Sequence, residues 1–153
     1  MLYDAAANSY KMQQYYSNDG SWRDTVDEGN GVTLTFPNVV VLFTDIHVYP
    51  GHEAKDLQYV DYGNGGVGYY SYGGKTERIY WQKGTPLEAL RLYYLTEDGK
   101  CSDIPLEINL GKSYVAVVDV DEAINYETGL LADHDLAASD AATAEAEAPN
   151  ADV

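Results

Sequence analysis

The run Val39-Val40-Val41-Leu42-Phe43 constrains the fold more than any other part of this chain. It is apolar at every position, rich in β-branched residues, too short for a buried helix, and preceded by Pro37-Asn38. A strand with no polar face must be covered on both sides. The chain therefore has to build a sheet with an apolar layer above and below it, and this segment is predicted at the sheet's centre.

Around that strand, period-two alternation and turn signals follow one another as antiparallel strands require. Tyr10 to Tyr16 predicts a first strand closed by Ser17-Asn18-Asp19-Gly20, and Val32 to Phe36 alternates cleanly. Ile46 to Tyr49 continues after a short break, ahead of a loop at Pro50-Gly51-His52-Glu53. Leu57 to Tyr62, Val67 to Tyr72 and Thr76 to Trp81 are separated by Gly63-Asn64-Gly65-Gly66 and Gly73-Gly74, the pattern of a meander of hairpins. Leu90 to Leu95 and Ile104 to Ile108 flank Asp98-Gly99, and Tyr114 to Val118 supplies the last strand. About nine or ten strands at this spacing predict an all-β domain, either an antiparallel β-sandwich or a partly open barrel. Pro86 to Arg91 is the one helical candidate in the body, since proline suits a first helical position.

Composition agrees with that class. Fifteen tyrosines against two phenylalanines favour half-buried pleated surfaces, where a ring packs while its hydroxyl stays wet. A length of 153 residues fits one domain, expected over residues 1–122. Charge is uneven: nine basic and 25 acidic residues give −16, and no Lys or Arg follows Lys112. Residues 121–153 hold nine of the acids, so residues 1–120 stand at 16 acids to nine bases, or −7. Phosphate backbones would be repelled and no basic stripe offsets that, which excludes nucleic acid as a partner. An anionic membrane surface is excluded on the same ground. Residues 123–153 read as an acidic, Ala-rich tail with little to bury, expected to be largely disordered.

The single cysteine, Cys101, precludes an internal disulfide and any Cys-rich metal site. No apolar run approaches the roughly 18 residues of a spanning helix, and Met1-Leu2-Tyr3-Asp4 lacks the basic and apolar regions of a signal peptide. The chain as written is expected to be soluble, with no direct membrane insertion.

Motifs that carry chemistry are few. Gly63-Asn64-Gly65-Gly66-Val67-Gly68 fits G-x-G-x-x-G, but a dinucleotide site needs a helix to open there, and a tyrosine-rich strand follows instead. A hairpin with a glycine bulge is the better reading. His47, His52 and Asp56, with Asp45 and Asp61 nearby, are weak candidates for a metal site. The Pro50-Gly51 turn separates the two histidines, and no recognised ligand spacing fits, so a solvated loop is favoured. Ser71 lacks a nucleophile elbow, and Cys101 has no His close in sequence. Asp119, Asp121 and Glu122 lack the glycine-containing loop of an EF-hand. No catalytic residue and no cofactor are expected. What remains is the concentration of Tyr59, Tyr62, Tyr70, Tyr72 and Trp81 in the meander. Alternation sends about half of these rings inward as core, and a contiguous outer set would suit a glycan or a protein partner.

Several landmarks recur in a fixed order: Tyr3-Asp4-Ala5, Tyr10-Lys11, Asn38 to Leu42, the glycine segment Gly65 to Gly74, Trp81-Gln82-Lys83, Asp98-Gly99-Lys100, and Asn109-Leu110-Gly111-Lys112-Ser113-Tyr114. Over residues 2–120 they resemble the carboxy-terminal domain of YerB-type bacterial lipoproteins. The resemblance implies an extracytoplasmic protein of Gram-positive bacteria, membrane-anchored through a lipid in its full-length form, with an amino-terminal domain as one partner and no assigned activity. Tyr114 stands where relatives commonly carry Trp. The lipid-attachment cysteine, signal sequence and amino-terminal half of that family are not in this sequence, which fits a cut-out piece of an exported protein as well as a free-standing domain. The expected function is that of a non-catalytic module binding a cell-wall glycan or envelope protein through the tyrosine meander. A metal-dependent domain or enzyme centred on His47, His52 and Asp56, and a structural spacer, are the alternatives.

Overall fold

The computed structural model describes residues 1–85 and 87–123. Most of the expected acidic tail, and Pro86 of the expected helix, lie outside the described residues. Within them the chain is all-β, in strands β1 (Leu2–Asp4), β2 (Ser9–Lys11), β3 (Gln13–Tyr16), β4 (Ser21–Asp24), β5 (Val26–Asp27), β6 (Val32–Thr33), β7 (Thr35–Phe36), β8 (Asn38–Thr44), β9 (Ile46–Val48), β10 (Gln58–Val60), β11 (Gly66–Tyr72), β12 (Lys75–Gln82), β13 (Arg91–Leu95), β14 (Cys101–Pro105) and β15 (Ser113–Asp119). Short 3-10 turns occur at Glu53–Lys55 and Val120–Glu122.

Six strands form the main sheet in the order β14-β13-β12-β11-β8-β15. β8 lies inside it, antiparallel to β11 on one side and parallel to β15 on the other. All seven of its residues are buried, and alternation divides them between two apolar layers. Val39, Val41 and Phe43 pack with Tyr10 and Tyr69, while Val40 and Leu42 pack with Tyr70, Ile79 and Trp81. The first layer is completed by the small β1-β2-β7 sheet, whose Tyr3 packs tilted against Tyr10 with ring centroids 5.0 Å apart. Leu106, Tyr62, Tyr72 and Leu92 pack on the second layer.

Several expected elements shift. Tyr10 to Tyr16 divides at Met12, whose N–H donates to Leu34 O (2.9 Å) while its carbonyl accepts from Thr25 N (2.8 Å). There the chain leaves β7 and begins to pair with β4, so two short ladders replace one long strand. β10 pairs with β9 rather than β11, so Gly63 to Gly66 is a crossing between sheets and not the hairpin turn that was expected. Only Gly73-Gly74 joins a hairpin, β11 to β12. Leu87 to Leu90 form a turn and irregular chain, without helix, that leads directly into β13. The expected strand Ile104 to Ile108 lies earlier, at Cys101–Pro105, and beyond it only Leu106 N still donates to Leu92 O of β13, at 2.9 Å. Finally, β15 pairs parallel to β8, which departs from a wholly antiparallel reading.

Candidate functional site

Two of the expected contact residues are core. Trp81 and Tyr70 are each 1% exposed, so neither can belong to a contact surface on the folded domain. Trp81 Nε1 donates to Phe43 O at 3.1 Å. Tyr70 donates its hydroxyl to Asn38 Oδ1 (2.7 Å) and accepts from Asn109 N (2.9 Å), while Asn38 Nδ2 donates to Asn109 O (2.9 Å). This closed network fastens the β14–β15 crossover onto the sheet and satisfies a buried amide and a buried phenol together. Tyr62 and Tyr72 are half-buried against the same layer. Alternation does not bring Tyr70 to the surface, because β11 is covered on both faces, with Tyr69 in one layer and Tyr70 in the other.

Tyr72 stacks on Tyr70 at 4.7 Å and donates to Glu77. That hydrogen bond, with burial and the Glu77 charge behind it, pushes the Tyr72 phenol up to about 12. The folded state therefore holds this proton more tightly than the unfolded chain, whose phenols titrate near 10. The resulting stability is full below about pH 10 and is lost as pH rises towards 12. Tyr72→Phe should flatten the fall in thermal midpoint over that window; an unchanged alkaline fall would show that Tyr72 is not its source.

The fifth residue, Tyr59, remains on the surface and lies on the β9–β10 hairpin directly across from His47. Their rings are 5.1 Å apart; Tyr49 meets Tyr59 edge-on at 5.6 Å and His52 edge-on at 6.5 Å. The order in space is His47, Tyr59, Tyr49, His52. The imidazoles thus sit at the two ends of a row of rings, with the tyrosines between them. His47 Nδ1 is 3.2 Å from Asp45 Oδ2. Asp56, exposed and left-handed at φ 48°, closes the 3-10 turn. Among the described residues no three of His, Cys, Asp or Glu converge to hold a metal ion, and His47, His52 and Asp56 are not brought together as ligands.

A second aromatic surface was not anticipated. On the β3–β4 hairpin, Tyr15 and Trp22 face each other across the ladder with rings 5.3 Å apart, and remain 56% and 64% exposed. Gln13 Nε2 donates to Asp24 Oδ1 (2.8 Å) one pair further along the same face. On the opposite face the Arg23 guanidinium lies 4.3 Å over the Tyr16 ring. The signal was available in the sequence. Tyr15-Tyr16 and Trp22 flank the Asn18-Asp19-Gly20 turn symmetrically, and a hairpin was legible had Ser21 to Asp24 been taken as a strand.

The remaining candidates have structural roles. Gly65, at φ +63°, would place a Cβ 2.5 Å from Trp81 O, and Gly68 one 2.5 Å from Val41 O. The glycine motif therefore lets β11 approach its neighbours closely. Ser71 Oγ shares a 2.8 Å hydrogen bond with Thr76 Oγ1. Asp119 accepts from Ile46 N (3.2 Å) and Asp121 N (2.9 Å), capping the final turn. Cys101 is partly buried, and burial with the Asp103 charge pushes its thiol up, away from the reactive thiolate. A cleft of about 380 Å³ at the end of β8 is lined by Thr44, Asp45, Asp61 and Arg78 among others. Asp61 already accepts from Gly63 N and Asn64 Nδ2, at 2.8 and 2.7 Å.

Residues 2–115 match the family described as the C-terminal domain of a protein of unknown function (DUF3048). The chain belongs to this family. No curated protein sequence matches it. The crystal structure of YerB protein from Bacillus subtilis superimposes with a TM-score of 0.54 at 21% sequence identity. The match covers 78% of this chain and 35% of that one, so the chain spans about a third of the YerB relative's length. The likeness shows that a YerB-type carboxy-terminal domain has this fold. Among the described residues no helix is long and apolar enough to cross a membrane.

Proposed function

We propose that this domain is a non-catalytic contact module of an extracytoplasmic, lipid-anchored protein of Gram-positive bacteria, binding a cell-wall glycan or an envelope protein. The observation that carries it is the exposure of mutually packed aromatic rings on two hairpins, Tyr15 with Trp22 and Tyr49 with Tyr59. Large rings held by one another present contact area at little ordering cost, and exposed aromatic groups are what hot spots are made from. With Tyr70 and Trp81 buried, the exposed rings of these hairpins are what supports a contact surface. A net charge of −16 favours an uncharged ligand over an anionic wall polymer. The amino-terminal domain of the full-length protein is a further candidate partner.

Trp22 reports on this directly, because the chain has two tryptophans and the other, Trp81, is buried. Addition of purified peptidoglycan fragments should shift Trp22 fluorescence saturably, and Trp22→Ala or Tyr59→Ala should weaken binding by roughly 1 kcal/mol or more with the fold intact. Binding unaffected by both substitutions, or recovery of stoichiometric metal with loss of function on His47→Ala, would sink the reading.

A further inference from the structure

The two ends of the main sheet are finished differently. At one edge β14 carries Pro105, the exposed Asp103 and a register shift against β13, all of which discourage another strand from adding there. At the other edge β15, Ser113-Tyr114-Val115-Ala116-Val117-Val118-Asp119, is seven residues long with no proline, no bulge against β8 and no charge before its last residue. Among the described residues nothing pairs with its outer side. Val115 and Val117 lie beside Val40 and Leu42 in register, yet are 45% and 36% exposed where those two are buried. An edge with unpaired N–H and C=O groups and an apolar face is a template for strand addition.

We infer that β15 pairs antiparallel with β15 of a second copy of this chain, joining two six-stranded sheets into one. The strand's own spacing selects that occupant. Centred on Ala116, antiparallel self-pairing sets Val115 against Val117 and Tyr114 against Val118, so exposed valines meet valines on one face and the partly buried Tyr114 and Val118 meet on the other. Asp119 then faces Ser113, and the two aspartates lie at opposite ends of the ladder. Parallel in-register pairing would instead set Asp119 beside Asp119, a repulsion that a chain of charge −16 is poorly placed to absorb. Seven residues a side is well below the 20–30 of a standard interface, so the dimer is weak, with dissociation on the order of 10–100 μM.

Sedimentation equilibrium on the full chain should show a monomer–dimer equilibrium in this range. Val115→Lys with Val117→Lys should shift it to monomer by at least tenfold in dissociation constant, with an unchanged circular dichroism spectrum and melting midpoint. Hydrogen exchange supplies the second reading: alternate amides of Ser113–Asp119 should gain protection as concentration rises. A chain that stays monomeric at the highest concentrations, a dimer insensitive to the paired lysines, or protection of those amides that is independent of concentration would each overturn the inference. The last outcome would mean that the chain's own residues cover the edge.

Discussion

Val41→Asp should leave this chain unable to fold. Val41 is 8% exposed on the interior strand, packed in the layer with Tyr10, Phe43 and Tyr69. An aspartate there would bury a carboxylate among aromatic rings, while Arg78, the cation in register on that face, sits two strands away and exposed. The penalty for such a charge is several kcal/mol after relaxation, against a total stability of about 5–15 kcal/mol for a domain. The expected product is insoluble, or soluble without a cooperative urea transition. Val41→Ala, which removes only two methyl groups, should stay folded and unfold cooperatively at lower denaturant. A cooperatively folded Val41→Asp protein would mean that β8 is not the strand on which both layers depend.

Trp81→Ala should be nearly as damaging by a different route. Removing a buried tryptophan typically costs about 3–5 kcal/mol in lost transfer energy and cavity. Here the change also removes the 3.1 Å hydrogen bond that the indole donates to Phe43 O. The loss falls on the second layer alone, since Trp81 packs with Val40, Leu42, Tyr70 and Ile79. Urea unfolding followed by circular dichroism should show the midpoint fall with its slope preserved. A destabilisation under about 1 kcal/mol would return Trp81 to the surface role that its tyrosine-rich neighbourhood first suggested.

The contrast between these two residues shows what was legible. Val39 to Phe43 could be read because an all-apolar run of strand length has one solution, cover on both faces, and β8 has it. Trp81 and Tyr70 could not be assigned, because alternation says only that neighbours point opposite ways. Which face meets water depends on what packs there, and here the crossover held by Asn38, Tyr70 and Asn109 helps to close the second face. Strand order was hidden for a similar reason. Gly63 to Gly66 looks like a hairpin turn locally, and only the long-range pairing of β11 with β8 makes it a crossing between sheets. The density of tyrosines along the chain does not point to Tyr49, Tyr15 and Trp22, because the exposed aromatic rings concentrate on short outlying hairpins that, among the described residues, pair with no further strand.

The parallel pairing of β15 with β8 has a kinetic consequence. Every residue from Asp45 to Lys112 lies between the two strands, so one side of the most buried strand must wait for the end of the domain before its ladder can form. Loop closure of that length is slow to nucleate, and a ribosome delivering residues in order would hold β8 half-paired, with a bare apolar edge, until β15 emerges. Premature termination anywhere in that interval would leave a sticky fragment rather than a smaller domain, so the interval before Ser113 is when the chain is most exposed to aggregation and proteolysis.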